Sequence, residues 1–290
     1  MLDYRALEAL AAVVSQRGFE KAANILHVSQ SAVSQRIKQL EAQLGQPVIL
    51  RQTPPVATPL GLKLITHLQT VQHLEADLGL HNQATGRVHA RIALSADAIA
   101  TWFGEALGRI TDEVDVDLIL TDQDKGIELM RGGEVLATLC ADGTPINGAR
   151  VDRLGMMRYR AYANQDFLTR FNLINDFDNL HKAPALIFNE DDQLQHRFLA
   201  LLNQPAPQNP IKCPSTEGFI QLAATGCGFG LMPEIQVNQS ILYDRLIDIA
   251  PDHYLDVPLY WHSWRSSGEV MKRLRSSVIK TAHRWLRFEY

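Results

Sequence analysis

Three cysteines in 290 residues, Cys140, Cys213 and Cys227, are too few and too widely spaced for a disulfide framework, and no CxxC pair offers half of a zinc site. No run of eighteen or more apolar residues occurs, which removes a membrane-spanning helix from the expected architecture. The N-terminus, MLDYRALEAL, has an acid where a secretory signal would carry basic residues followed by an apolar stretch, so the expected compartment is the reducing cytoplasm. Catalytic signatures are missing as well. There is no P-loop, no GxSxG, no HExxH and no GxGxxG after the first strand. TGCGFG at 225–230 follows a helix and precedes a strand, the reverse of a dinucleotide loop. No enzymatic activity, metal or cofactor is expected.

What is present is enough apolar material, 46% of the chain, for at least two cores. Charge is divided unevenly. Arg5, Arg17, Lys21, Arg36, Lys38, Arg51 and Lys63 outweigh Asp3, Glu8, Glu20 and Glu41 in residues 1–65, a balance of +3. The whole chain is −4, so the remaining 225 residues carry −7. A basic head on an acidic body fits a nucleic-acid-binding module joined to something else.

In the head, Leu7, Leu10 and Val14 recur at helical spacing between Tyr4 and Ser15, and Gly18 stops that helix. A short helix follows in FEKAANILH, then a third in SAVSQRIKQLEAQLG, closed by Gly45. On the third, Val33, Ile37, Leu40 and Leu44 fall within about 60° of one another, opposite Ser31, Ser34, Gln35 and Lys38. Hydroxyls and amides without a carboxylate suit a helix entering the major groove, because Gln can pair bidentately with adenine and Ser can bond base edges or phosphate. Two short helices in tandem with a tight turn are a helix-turn-helix.

The stretch GFEKAANILHVSQSAVSQRIKQLEAQLGQPVILRQTPPVATPLG resembles the N-terminal signature of LysR-type bacterial transcriptional regulators. Ala22, Ala23, Ser29, Gln30, Ser34, Ile37, Leu40, Glu41, Leu44, Gly45, Arg51, Thr58 and Gly61 carry the match. The resemblance implies a winged helix-turn-helix in which Ser29, Gln30, Ser31, Ser34, Gln35 and Lys38 face DNA. Arg51 and Thr58 would contact the backbone from the wing. Pro54-Pro55-Val56 stands where many relatives carry a further wing arginine, so minor-groove insertion of an arginine is not expected.

Thr58-Pro59 is a helix start: Thr accepts an amide as N-cap, and Pro at N1 has no N–H to leave unsatisfied. Leu60, Leu64, Leu68, Val71, Leu74 and Leu78 then line one side of a helix of roughly 37 Å. Such a stripe is expected to pair with the same helix of a second subunit. The resemblance implies a homodimer or tetramer, with double-stranded DNA, a small-molecule effector and RNA polymerase as partners. The expected division is 1–58 for the winged domain, 59–88 for the linker helix and 89–290 for the effector domain. Lobe I would take about 89–161 and 265–290, and lobe II about 162–264.

From Arg91 onward strands alternate with helices: RIALSA, DAIATWFGEALGRI, VDLILT, DKGIELMRGG and EVLATLCA, then APALIFN, DDQLQHRFLALLN, STEGFIQLAATG and FGLMP. This is an α/β pattern. With crossing strands near YRAYAN and PLYWHSW it resembles the two-lobed, periplasmic-binding-protein-like effector domain of the same family, whose ligand lies in the crevice at strand C-termini.

The runs SADAIATWFGEAL, RGGEV and LYWHSW, with the Pro-Pro wing, are most similar to the branch called ArgP, IciA or LysG-like regulators. That branch responds to lysine and arginine, so a basic amino acid is the implied effector. A proposed role in inhibiting replication initiation at origin DNA attaches to the same branch. Ser215-Thr216 at a helix start suits the ligand carboxylate, and Asp97, Asp122 and Asp142, each just after a predicted strand, suit its cationic groups. Ser95, Thr101 and Trp102 accompany them. Asp97 and Ser215 can equally be helix caps, Asp122 and Asp142 surface loop residues, and Trp102 core. A thiol redox sensor is a further alternative, but apolar neighbours point to buried structural thiols at Cys213 and Cys227.

Overall fold

The computed structural model describes residues 2–77, 88–121, 125–174, 177–265 and 268–288. Asp3 accepts the Arg5 amide and opens α1 (Tyr4–Ser15), which buries Ala6, Leu7, Ala9, Leu10 and Val13 along one side. α2 (Phe19–Ile25) turns Ala22 and Ala23 inward, small enough to let it lie close to α3 (Gln30–Leu44). α3 starts at Ser29, whose hydroxyl accepts the Ala32 amide at 3.2 Å, and ends at Gly45 with φ of 72°, a left-handed cap that disfavours any side chain. Its Val33, Ile37 and Leu40 are buried, which leaves the polar side outward. β1 (Ile49–Leu50) and β2 (Val56–Ala57) pair antiparallel as a small wing.

The next helix, α4 (Pro59–Asp77), corrects two expectations. Thr58 is only 8% exposed, and its hydroxyl donates to the Pro47 carbonyl at 3.0 Å while accepting the Gly61 amide at 3.1 Å. It is a saturated helix cap and has nothing left for a phosphate. Gly61 is required beside it, since an added Cβ would lie 2.0 Å from the Val48 carbonyl oxygen. The leucine stripe is also not wholly available to a partner. Leu64 and Leu68 are buried in the winged domain's own core with Leu7, Leu10 and Val13, because α4 lies across α1, where Tyr4 Oη meets His67 Nε2 at 3.1 Å. Leu60 and Val71 are half-buried. The Leu74 side chain and Leu78 lie outside the described residues, as does 78–87 of the expected linker.

The second half is built on one curled sheet. β3 (Val88–Leu94) is followed by a helical segment: α5 (Ala96–Ala98), a π-turn at Ile99–Phe103 and α6 (Gly104–Gly108). β4 (Val114–Leu120), α7 (Gly126–Arg131) and β5 (Ala137–Cys140) complete the parallel part of lobe I. β6 (Ala149–Ala163) then crosses to lobe II, which holds α8 (Gln165–Arg170), β7 (Pro184–Ile187), α9 (Leu194–Leu201), β8 (Asn209–Lys212), α10 (Thr216–Ala224), β9 (Gly230–Pro233), α11 (Glu234–Gln239) and β10 (Ile247–Asp248). β11 (Leu255–Trp264) returns antiparallel to β6, and α12 (Glu269–Trp285) covers lobe I.

The seven-stranded order is β10-β6-β11-β5-β3-β4, with β9 also on β6, while β7 and β8 form a separate parallel pair. An irregularity falls inside β6. There Gly155 has φ of 127°, the β6–β11 register shifts between Leu259 and Tyr260, and a Cβ on Gly155 would meet the Arg287 carbonyl oxygen at 2.9 Å. The largest core cluster runs through both lobes around Trp102, Phe103, Tyr159, Phe167, Phe198 and Trp261. No helix among the described residues is long and apolar enough to cross a membrane.

Candidate DNA-reading helix and effector cleft

On α3 the outward positions are Gln30, Ser31, Gln35 and Lys38, all exposed, with Ser34 half-buried between them. Gly45 and the inward Val33, Ile37 and Leu40 fix the helix on its core, so these side chains project from a rigid support. Ser29 is exposed too, but its hydroxyl is engaged twice, in the cap and with Ser31 Oγ at 2.9 Å. Arg51 stands in the wing with its guanidinium 3.4 Å from Glu41 Oε2 and over the Phe19 ring at 5.8 Å. Glu41 also accepts the Val48 amide at 3.0 Å, so one carboxylate ties the recognition helix to the wing.

Between the lobes lies a cavity of about 570 Å³. Lobe I supplies Ser95, Ala96 and Asp97 beyond the C-terminal end of β3, Leu120 and Thr121 at the end of β4, and Lys125 before α7. Lobe II supplies the loop 188–193 after β7, then Leu194 and Arg197 of α9, Thr216 and Phe219 of α10, and Leu231, Met232, Pro233 and Gln236. Strand ends from both lobes converge here, as open α/β sheets dictate. Apolar walls leave room for an aliphatic stem, and among the described residues four carboxylates, Asp97, Glu190, Asp191 and Asp192, share the lining with two cations, Lys125 and Arg197.

The carboxylates are not equivalent. Glu190 is paired with Lys212 at 2.7 Å, and Asp191 with Lys125 at 2.5 Å, the latter contact joining the two lobes. Asp192 shapes its own loop by accepting the Phe188 and Leu194 amides at 2.8 and 3.0 Å. Asp97 has no cationic partner among the described residues. Its Oδ2 accepts the Tyr159 hydroxyl at 2.6 Å, and Tyr159 stands on β6 beyond Gly155. Burial pushes the Asp97 carboxyl up to about 6 from 3.8; the Tyr159 hydrogen bond opposes this and the Asp192 charge adds to it. Ser95, not Asp97, is the helix cap: its hydroxyl accepts the Ala98 amide at 3.3 Å.

Of the other expected effector residues, Thr216 lines the cavity and several do not. Ser215 is exposed with its hydroxyl on the Gly218 amide at 3.0 Å, spent in capping α10. Thr101 donates to the Asp97 carbonyl at 2.6 Å, one turn back in its own helix. Trp102 is fully buried in the shared core because the π-turn rotates it there. Asp142 sits elsewhere: its carboxylate takes the Thr144 amide at 2.7 Å, and its carbonyl accepts His262 Nε2 at 2.7 Å. Asp122 lies outside the described residues. The thiols also depart from expectation. Cys213 and Cys227 flank opposite ends of α10, and Cys227 is exposed, because the turn at Gly226 (φ of 76°) carries the chain out of the helix.

Lys125, the 188–193 loop, Arg197 and Gln236 were not among the expected site residues. One signal for them was present: Asn189-Glu190-Asp191-Asp192 directly follows the strand APALIF, the same strand-end position that nominated Asp97.

Comparison with known proteins gives a consistent picture. The sequence pattern of bacterial regulatory helix-turn-helix proteins of the lysR family matches residues 4–62, and that of the LysR substrate binding domain matches residues 82–282. The HTH-type transcriptional regulator ArgP of Pseudomonas fluorescens (strain Pf0-1) is 46% identical over 293 residues, covering 99% of each chain. Among solved structures, ArgP from Mycobacterium tuberculosis superposes with a TM-score of 0.83 at 34% identity, covering all of both chains. Full-length LysG from Corynebacterium glutamicum with bound effector Arg gives 0.71 at 28% identity, covering 99% of this chain and 100% of that one.

Proposed function

The chain belongs to the LysR family of DNA-binding transcriptional regulators, in its ArgP-like branch, and from that premise we propose that the interlobe cleft binds arginine or lysine as the effector that modulates transcription. The observation that carries the effector is Asp97: a half-buried carboxyl facing a 570 Å³ cavity, whose hydrogen-bond donor is a neutral hydroxyl. A buried carboxylate without a counter-charge is costly, and a ligand cation relieves that cost where a neutral side chain does not. The apolar lining at Leu120, Phe188, Phe219 and Met232 accommodates the aliphatic stem, and Thr216 at the start of α10 offers backbone donors near the ligand carboxylate. LysG, with arginine bound, supports the same ligand class.

The protein acts in the cytoplasm as a regulator without enzymatic activity. Gln30, Ser31, Ser34, Gln35 and Lys38 meet the major groove, and Arg51, oriented by Glu41, meets the phosphates. Subunits pair as a homodimer or a dimer of dimers, using the part of the long helix beyond Leu68, and RNA polymerase is the downstream partner. Calorimetry of the full chain against the twenty amino acids tests the effector. Saturable binding of arginine or lysine, with neutral amino acids much weaker, is expected; binding of neutral amino acids alone would remove the role given to Asp97.

A further inference from the structure

Among the described residues that line the cleft, the four carboxylates leave Arg197 without an ion-pair partner. Lys125 is held by Asp191, and Lys212, just outside, by Glu190. Arg197, exposed on α9, makes a backbone hydrogen bond from its amide to Gln193, and its guanidinium has no ion-pair or hydrogen-bond partner among the described residues. A guanidinium left unpaired in a cavity rich in acids is held off them by the fold: Asp192 is committed to amides of its own loop, and Asp97 is engaged by Tyr159. Asp97 is contributed by lobe I and Arg197 by lobe II, so among the described residues the cleft presents a carboxyl without a cationic partner on one wall and a guanidinium without an acidic partner on the other.

We infer that Arg197 is the receptor for the α-carboxylate of the effector, so that an amino acid with a cationic side chain bridges the lobes from Arg197 to Asp97. This rests on the proposed basic amino-acid effector and adds to it the residue that makes a free carboxylate obligatory. The planar guanidinium fork matches a carboxylate bidentately, which an ammonium does not. The bridge also supplies the selectivity. A diamine or decarboxylated analogue satisfies Asp97 but leaves Arg197 unpaired, and a neutral amino acid does the reverse.

The test compares arginine with agmatine, which is arginine lacking its carboxylate, by calorimetry on the full chain carrying Arg197→Met, with Arg197→Lys as a second variant. The wild type should prefer arginine over agmatine. In Arg197→Met arginine affinity should fall by about tenfold or more, while agmatine affinity stays within about twofold, so the preference collapses. Arg197→Lys should restore part of it. Equal losses for both ligands, or no loss for arginine, would overturn the assignment while leaving the effector class standing. A wild type that binds no basic amino acid would remove the effector proposal and this inference together. Unchanged thermal cooperativity of both variants separates ligand effects from misfolding.

Discussion

Asp97→Asn should make the protein more stable near neutral pH while it disables effector binding. The asparagine keeps the shape and can still accept the Tyr159 hydroxyl, but it carries no charge to desolvate. A carboxyl that ionises near 3.8 in the unfolded chain and at about 6 in the folded one binds its proton more tightly when folded. Folding is therefore penalised as pH rises from 3.8, and the penalty is complete above about 6. At 1.36 kcal/mol per unit, the upper bound is about 3 kcal/mol, and solvent in the open cavity brings the expected gain to roughly 1–3 kcal/mol. Thermal unfolding of wild type and variant across the acidic and neutral range reads this directly. The two curves should coincide below about pH 4, diverge between pH 4 and 6, and run parallel above. Arginine affinity of the variant should fall more than about tenfold in calorimetry. A variant less stable than wild type at neutral pH, or a stability difference independent of pH, would refute the desolvated carboxylate without a counter-charge.

Leu68→Ala should cost about 2–5 kcal/mol in the winged domain, because Leu68 is 4% exposed in that domain's own core; a change in sedimentation with unaltered unfolding would return it to the subunit interface. Gln35→Ala should lose about 1–3 kcal/mol on the cognate operator and much less on random DNA, and equal losses on both would eliminate base readout. Gly155→Ala combines a φ of 127° with a Cβ 2.9 Å from the Arg287 carbonyl, so urea unfolding should report a loss of about 2 kcal/mol or more; a neutral effect would mean that β6 is more compliant there than its geometry implies.

The helix-turn-helix was legible because its determinants are local. The Gly45 cap and the spacing of Val33, Ile37 and Leu40 act within a few residues of one another, so pattern and fold coincide. The long helix was harder for the same reason. A leucine stripe states that a helix buries one side, but not against what, and Leu64 and Leu68 found α1 of the same subunit. Periodicity carries no address.

The cleft divides along the same line. Ser95 and Asp97 could be nominated from a strand end, but their roles could not be separated, since either serine or aspartate can cap a helix. The separation comes from Tyr159, 62 positions away, whose hydroxyl claims Asp97 while Ser95 takes the Ala98 amide. Likewise, Arg197 reads in sequence as an ordinary exposed helix cation. It gains meaning only when β6 and β11 join lobe II to lobe I and, among the described residues of the cleft, Asp191 and Glu190 are found in ion pairs and Asp192 on amides of its own loop. Local chemistry therefore names candidate donors and acceptors, and the long-range pairings decide which of them are left over for a ligand. Among the described residues, Asp97 and Arg197 lack an ion-pair partner, are opposite in charge and stand on opposite lobes, and that disposition favours a ligand carrying both charges over either charge alone.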